Sequence, residues 1–165
     1  MDLNLLSLFD FQVTHNGSHI SCRLKTKQGD LLSVAAGGIT YSHQIPASQT
    51  RPTTVDTYAN VEVAFVTDKG EFIFPSYLPL GFPMWDGSIF PYVPVSDVCS
   101  LLPVVYEGFK YKKGMVVKEN EFLYTLDENE VEGSDKITAI NPEGEYCVMN
   151  KKSMRLYALN KRIMK

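Results

Sequence analysis

The dipeptide Asn16-Gly17 constrains this chain more than any other local feature. A two-residue hairpin turn needs positive φ at both central positions, and Asn-Gly is the pair that adopts it most readily. Pairing outward from that turn sets Val13 opposite Ile20, Phe11 opposite Cys22 and Phe9 opposite Leu24, with Asp10 opposite Arg23 on the other face. One face is then apolar and the other polar, so the sequence predicts an antiparallel sheet at its start, with Phe9, Phe11, Val13, Ile20, Cys22 and Leu24 turned to a core.

The same logic extends along the chain. Gln28-Gly29-Asp30 turns into a third strand over Leu31 to Ala36, which Gly37-Gly38 ends. Residues 42–57, with Pro46 and Pro52 and no apolar period, predict a long loop. Tyr58 to Thr67 alternates Val61, Val63 and Phe65 against Asn60, Glu62 and Ala64, and Asp68-Lys69-Gly70-Glu71 turns it into Phe72-Ile73-Phe74. Ser96 is a candidate N-cap, with Asp97 in the first turn and Val98, Leu101 and Leu102 at helical spacing. Pro103 is expected to stop that short helix.

Charge balance changes at that proline. Residues 1–103 hold five Lys/Arg against nine Asp/Glu, whereas 104–165 hold eleven against ten. Beyond it, turn signals at Lys113-Gly114, Glu132-Gly133 and Pro142-Glu143-Gly144 separate short apolar stretches at 115–117, 122–126, 137–140, 146–149 and 156–159. The last also fits a helical face. The predicted fold class is α+β, mostly β. Residues 1–103 are expected to form an antiparallel sheet with one short helix and a proline/aromatic loop. Residues 104–165 are expected to form a small SH3-like β subdomain, its core including Val117, Leu123, Ile137, Ile140, Tyr146 and Val148.

The residue chemistry excludes more than it supports. Cys22, Cys99 and Cys147 are odd in number and far apart, which fits reduced thiols rather than a disulfide framework or zinc site. No apolar run approaches the roughly 20 residues of a membrane-spanning helix. The start Met1-Asp2-Leu3-Asn4 lacks the basic region of a secretory signal, so a cytoplasmic setting is expected. No nucleophile elbow, phosphate loop or metal-ligand spacing occurs, so no catalytic set, metal or cofactor is predicted. His15 and His19 fall on opposite faces of the hairpin, and His43, Asp56 and Glu62 make only a dispersed set for an enzyme. The acidic stretch from Asp127 to Asp135 lacks cation-loop spacing. Lys151, Lys152, Arg155, Lys161, Arg162 and Lys165 make the end basic, but with a net charge of −3 and no recognition motif they give only weak support for nucleic acid.

One segment stands out. Phe72 to Pro94 holds seven of the chain's aromatic residues and five of its nine prolines. Proline at that density withholds backbone donors from a sheet and stiffens the chain, so part of the stretch reads as a rigid loop, either lid or exposed patch. Tyr77, Phe82, Trp85 and Tyr92 are its candidate partner-binding residues, since aromatic anchors are where interface energy concentrates. The leading expectation is a non-enzymatic protein-binding module, an inhibitor or adaptor of the phage or mobile-element type acting on a host protein. The alternative is a small-molecule or nucleotide-binding protein with a pocket under the proline/aromatic loop and Arg51 holding an anion.

Overall fold

The computed structural model describes residues 14–16, 19–37, 40, 43–44, 58–73 and 89–159. They form a mostly β, antiparallel structure with two sheets and one helix. The first sheet holds β1 (Thr14–Asn16), β2 (His19–Lys25), β3 (Leu31–Gly37), β4 (His43–Gln44), β5 (Tyr58–Val66), β6 (Phe72–Ile73) and β7 (Ile89–Pro94). Its order is β1-β2-β3-β5-β4, with β6 and β7 also paired to β5. Helix α1 (Val95–Val105) follows. The second sheet then runs β8 (Val116–Glu119), β9 (Phe122–Leu126), β10 (Lys136–Ile140), β11 (Tyr146–Asn150) and β12 (Arg155–Ala158), in the order β11-β10-β9-β8-β12.

Alternation builds the first sheet's inner wall. Cross-strand neighbours Cys22, Val34, Val63 and Phe90 form one buried row, and Leu24, Leu32 and Phe65 form the next. Phe65 and Phe90 meet edge to face with centroids 6.4 Å apart, the geometry their ring quadrupoles favour. Gly29, at φ +92, closes the β2–β3 turn where a side chain would be strained.

The first hairpin departs from the expected register. Asn16 pairs with His19, His15 with Ile20 and Thr14 with Ser21, which leaves Gly17 and Ser18, not Asn16 and Gly17, between the paired residues. Gly-Ser is itself a two-residue turn signal. The slip is two residues, and because strand side chains repeat every two, it leaves each residue on its predicted face. Cys22 and Leu24 are accordingly buried. The expectations for Phe9, Phe11 and Val13 lie outside the described residues.

The helix also corrects two expectations. Its N-cap is Pro94 rather than Ser96, and it runs through Pro103 to Val105. A proline removes one N–H and one helical bond, and in the last turn that loss is small enough for the helix to run two residues further. Here the Lys27 N–H donates to the Val105 carbonyl at 2.8 Å, and Tyr106 N–H donates to Leu102 at 2.9 Å. Lys27 Nζ also sits 3.4 Å from the Pro103 carbonyl, a cation at the negative end of the helix dipole.

All five predicted stretches of the second half are strands, the ambiguous last one included. Leu156 pairs with Val117, so the fifth strand returns to the first. The predicted core is only partly right. Val117 and Ile137 are buried and Leu123 and Ile140 half-buried, but Tyr146 and Val148 are exposed. Their strand pairs Ile137 with Met149 and Ala139 with Cys147, which turns the odd-numbered residues of β11 inward. One continuous apolar cluster joins the inner faces of both sheets to Val98, Leu101, Leu102 and Val105 of α1.

Candidate functional site

Of the predicted partner-binding residues the structure describes Tyr92; Tyr77, Phe82 and Trp85 lie outside the described residues, as does Arg51. Tyr92 is 47% exposed, and its φ of 51 is in the left-handed region. The cause is a β-bulge. From Val61 to Val63, β5 takes two steps, while its partners Val93 and Phe90 are three apart on β7. Both partners are buried, so the extra residue is absorbed by Pro91-Tyr92 between them. Pro91 offers no N–H, which suits a position excused from the ladder. A bulky residue in this backbone region costs roughly 1–2 kcal/mol. The core contacts of Val93 and Phe90 offset it, and the result is an aromatic ring turned outward on a strand held between two prolines.

Tyr92 has exposed company along β5. On the face away from Phe65 that strand carries Glu62, Ala64 and Val66, of which Ala64 and Val66 are buried; the bulge falls opposite Glu62, Ile89 opposite Ala64 and Phe72 opposite Val66. Phe72 is 53% exposed and Ile89 half-buried. Four strand residues span about 13 Å. The exposed Tyr92 and Phe72 stand at about that spacing, beside strand positions that are themselves buried.

The charged clusters have internal duties. In the acidic stretch, Glu130 accepts the Tyr111 N–H at 2.8 Å and forms an ion pair with Lys151 at 3.6 Å, Glu128 accepts the Thr138 N–H at 2.7 Å, and Asp127 pairs with Lys113 at 3.3 Å. Glu128 and Glu130 thus cap main-chain donors of neighbouring segments. Burial, and secondarily the charge of Glu130, raises the Tyr111 phenol to about 12. Of the basic end, Lys151 is thus engaged, and Arg155 pairs with Asp97 at 2.5 Å while reaching Ser100 Oγ at 3.1 Å, tying β12 to α1. Lys152 is exposed; Lys161, Arg162 and Lys165 lie outside the described residues.

Among the described residues, no group of three or more His, Cys, Asp or Glu could hold a metal, and no helix is long and apolar enough to cross a membrane. Of the dispersed enzyme candidates, Glu62 is half-buried on the outer face of β5, and the Asp56 and His43 side chains lie outside the described residues. Cys22 and Cys99 are buried free thiols and Cys147 is half-buried. The Cys147 thiol is raised by burial and then by Glu119, which makes it a poor nucleophile at neutral pH.

A second exposed apolar surface was not foreseen. On the outer face of the second sheet Tyr146 is 71% and Val148 67% exposed, opposite Ile140 and Thr138 respectively. The strand reads Tyr-Cys-Val-Met, apolar at every position, so alternation alone does not say which face is inward. The signal was the excess itself, because a half-buried strand needs apolar residues on one face only. No family model matches this chain, and comparison with curated proteins and with solved structures finds no match.

Proposed function

We propose that this chain is a non-enzymatic protein-binding module whose working surface includes Tyr92, an inhibitor or adaptor of the phage or mobile-element type acting on a host protein in the cytoplasm, where its three free thiols stay reduced. The observation that carries the reading is the Pro91-Tyr92 bulge, which holds a half-exposed aromatic ring outward at a backbone cost. Strain at a surface position is favoured where it re-aims a side chain for use. Pre-ordering by Pro91 and Pro94 also reduces the entropy lost when a partner docks. Tyr77, Phe82 and Trp85 extend the proposed surface along the same segment.

The test is capture from a host lysate with the wild-type chain and with Tyr92→Ala as baits, compared quantitatively. A proposed anchor of hot-spot strength loses roughly 2 kcal/mol, a drop of about 30-fold in affinity, on truncation. Specific captures that vanish with Tyr92→Ala while the variant stays folded support the reading. Identical captures by both baits contradict it.

A further inference from the structure

β11 is the last strand of the second sheet, and among the described residues no strand pairs its far edge. In its ladder with β10, the Asn141 N–H donates to the Glu145 carbonyl at 2.9 Å and the Lys151 N–H to the Asp135 carbonyl at 2.8 Å. Antiparallel ladders alternate, so the main-chain groups of residues 145, 147, 149 and 151 face β10 while those of Tyr146, Val148 and Asn150 face the open edge. Soluble proteins blunt such edges with lysine, proline or a bulge. Tyr146 to Asn150 carries none of these.

The geometry points to a second copy of this chain on that edge, joined by antiparallel pairing of β11 with its counterpart about a two-fold axis at Val148. Only registers that oppose even-numbered residues bring the outward main-chain groups together. With Val148 on the axis, its N–H donates to the Val148 carbonyl of the second copy, the Asn150 N–H donates to the Tyr146 carbonyl of the second copy, and both bonds recur in reverse. The Asn150 carbonyl already accepts the Ser153 N–H at 3.1 Å and is left out of this set.

Charge selects the direction. The strand is preceded by Glu143 and Glu145 and followed by Lys151 and Lys152. The Val148 register places Glu145 opposite Lys151 of the second copy, so an acidic end meets a basic end twice, whereas parallel pairing would set acid beside acid. Lys151 already lies 3.6 Å from Glu130, so Glu145 of the second copy joins an existing ion pair. On the outer face, Val148 meets Val148 across the axis, and the Tyr146 rings extend one apolar strip over both sheets. This isologous contact lies in a different sheet from Tyr92 and stands independently of the function proposed above.

Sedimentation equilibrium of the full chain over a concentration series tests it, together with amide exchange on the same samples. The expected result is a reversible dimer of twice the 18.6 kDa chain mass, with the Val148 and Asn150 amides gaining protection as concentration rises. Val148→Lys places like charges on the axis and should weaken the dimer at least tenfold while leaving the circular dichroism spectrum unchanged. A chain that stays monomeric up to its solubility limit overturns the inference. So does a dimer that survives Val148→Lys, or one in which those two amides exchange freely. If Val148→Lys does not fold, the wild-type amide protection alone decides.

Discussion

β2 and β11 are both strands with one face in the core, yet their outer faces differ. The inner positions of β2 are Cys22 and Leu24 and its outer ones Ser21, Arg23 and Lys25. β11 buries Met149 and half-buries Cys147, then shows Tyr146 and Val148 to solvent. β2 lies between two neighbours and β11 at an edge. The polar outer face therefore belongs to the strand with a neighbour on each side, and the apolar outer face to the strand that, among the described residues, has a neighbour on one side only. Where apolar side chains exceed what the core can take, they mark surface with another use.

The largest expected effect tests the inner faces. Phe65→Ala empties a fully enclosed site beside Phe90 and should cost roughly 3–5 kcal/mol by denaturant unfolding. Met149→Ala should cost roughly 2–4 kcal/mol, because the same removal on β11 also opens core. Val148→Ala and Arg23→Ala should each stay within about 0.5 kcal/mol of wild type at concentrations where the chain is monomeric. A Val148→Ala cost matching that of Met149→Ala would break the comparison, since the outer face of β11 would then be core.

These two strands also show what was legible in the chain. On β2, polar and apolar residues alternate without exception from Ser21 to Lys25, so the buried face could be read directly. The hairpin's register could not, because a two-residue slip keeps every side chain on its face and both candidate turns contain Gly17. On β11 four consecutive apolar residues offer no contrast, and the choice of face came from pairing with Ile137 and Ala139 on a separate strand. Pro103 misled because it sits in the last turn, where one missing N–H removes a single helical bond and the helix runs only two residues further. Local chemistry located the strands of the second half, whereas β4 and β7 fall in stretches that read as loop. Which contacts relieve an edge or a bulge is decided by distant residues.

Smaller effects sharpen the picture of the charged loops. Glu130→Ala leaves the Tyr111 N–H unpaired and should cost roughly 1–2 kcal/mol, against which Glu130→Gln should recover part. Tyr111 is held neutral up to about 12 in the folded chain against 10.0 when free. Its contribution is thus complete below pH 10 and is lost as pH rises through that interval, because the unfolded chain releases the proton first. Unfolding measured from pH 9 to pH 12 should show this fall reduced in Tyr111→Phe. Smallest is the exposed Arg155–Asp97 pair, for which a double-mutant cycle should give about 0.5 kcal/mol, less in high salt.

The most direct test of the proposed surface is Tyr92→Gly, measured for stability and for lysate capture in one preparation. Glycine tolerates φ near 51 without strain, so relief of the backbone offsets lost side-chain contact. The account predicts unfolding free energy within about 1 kcal/mol of wild type together with loss of every specific capture. A variant that is strongly destabilised, or one that keeps the wild-type captures, would show that the ring at Tyr92 serves the fold and not a partner.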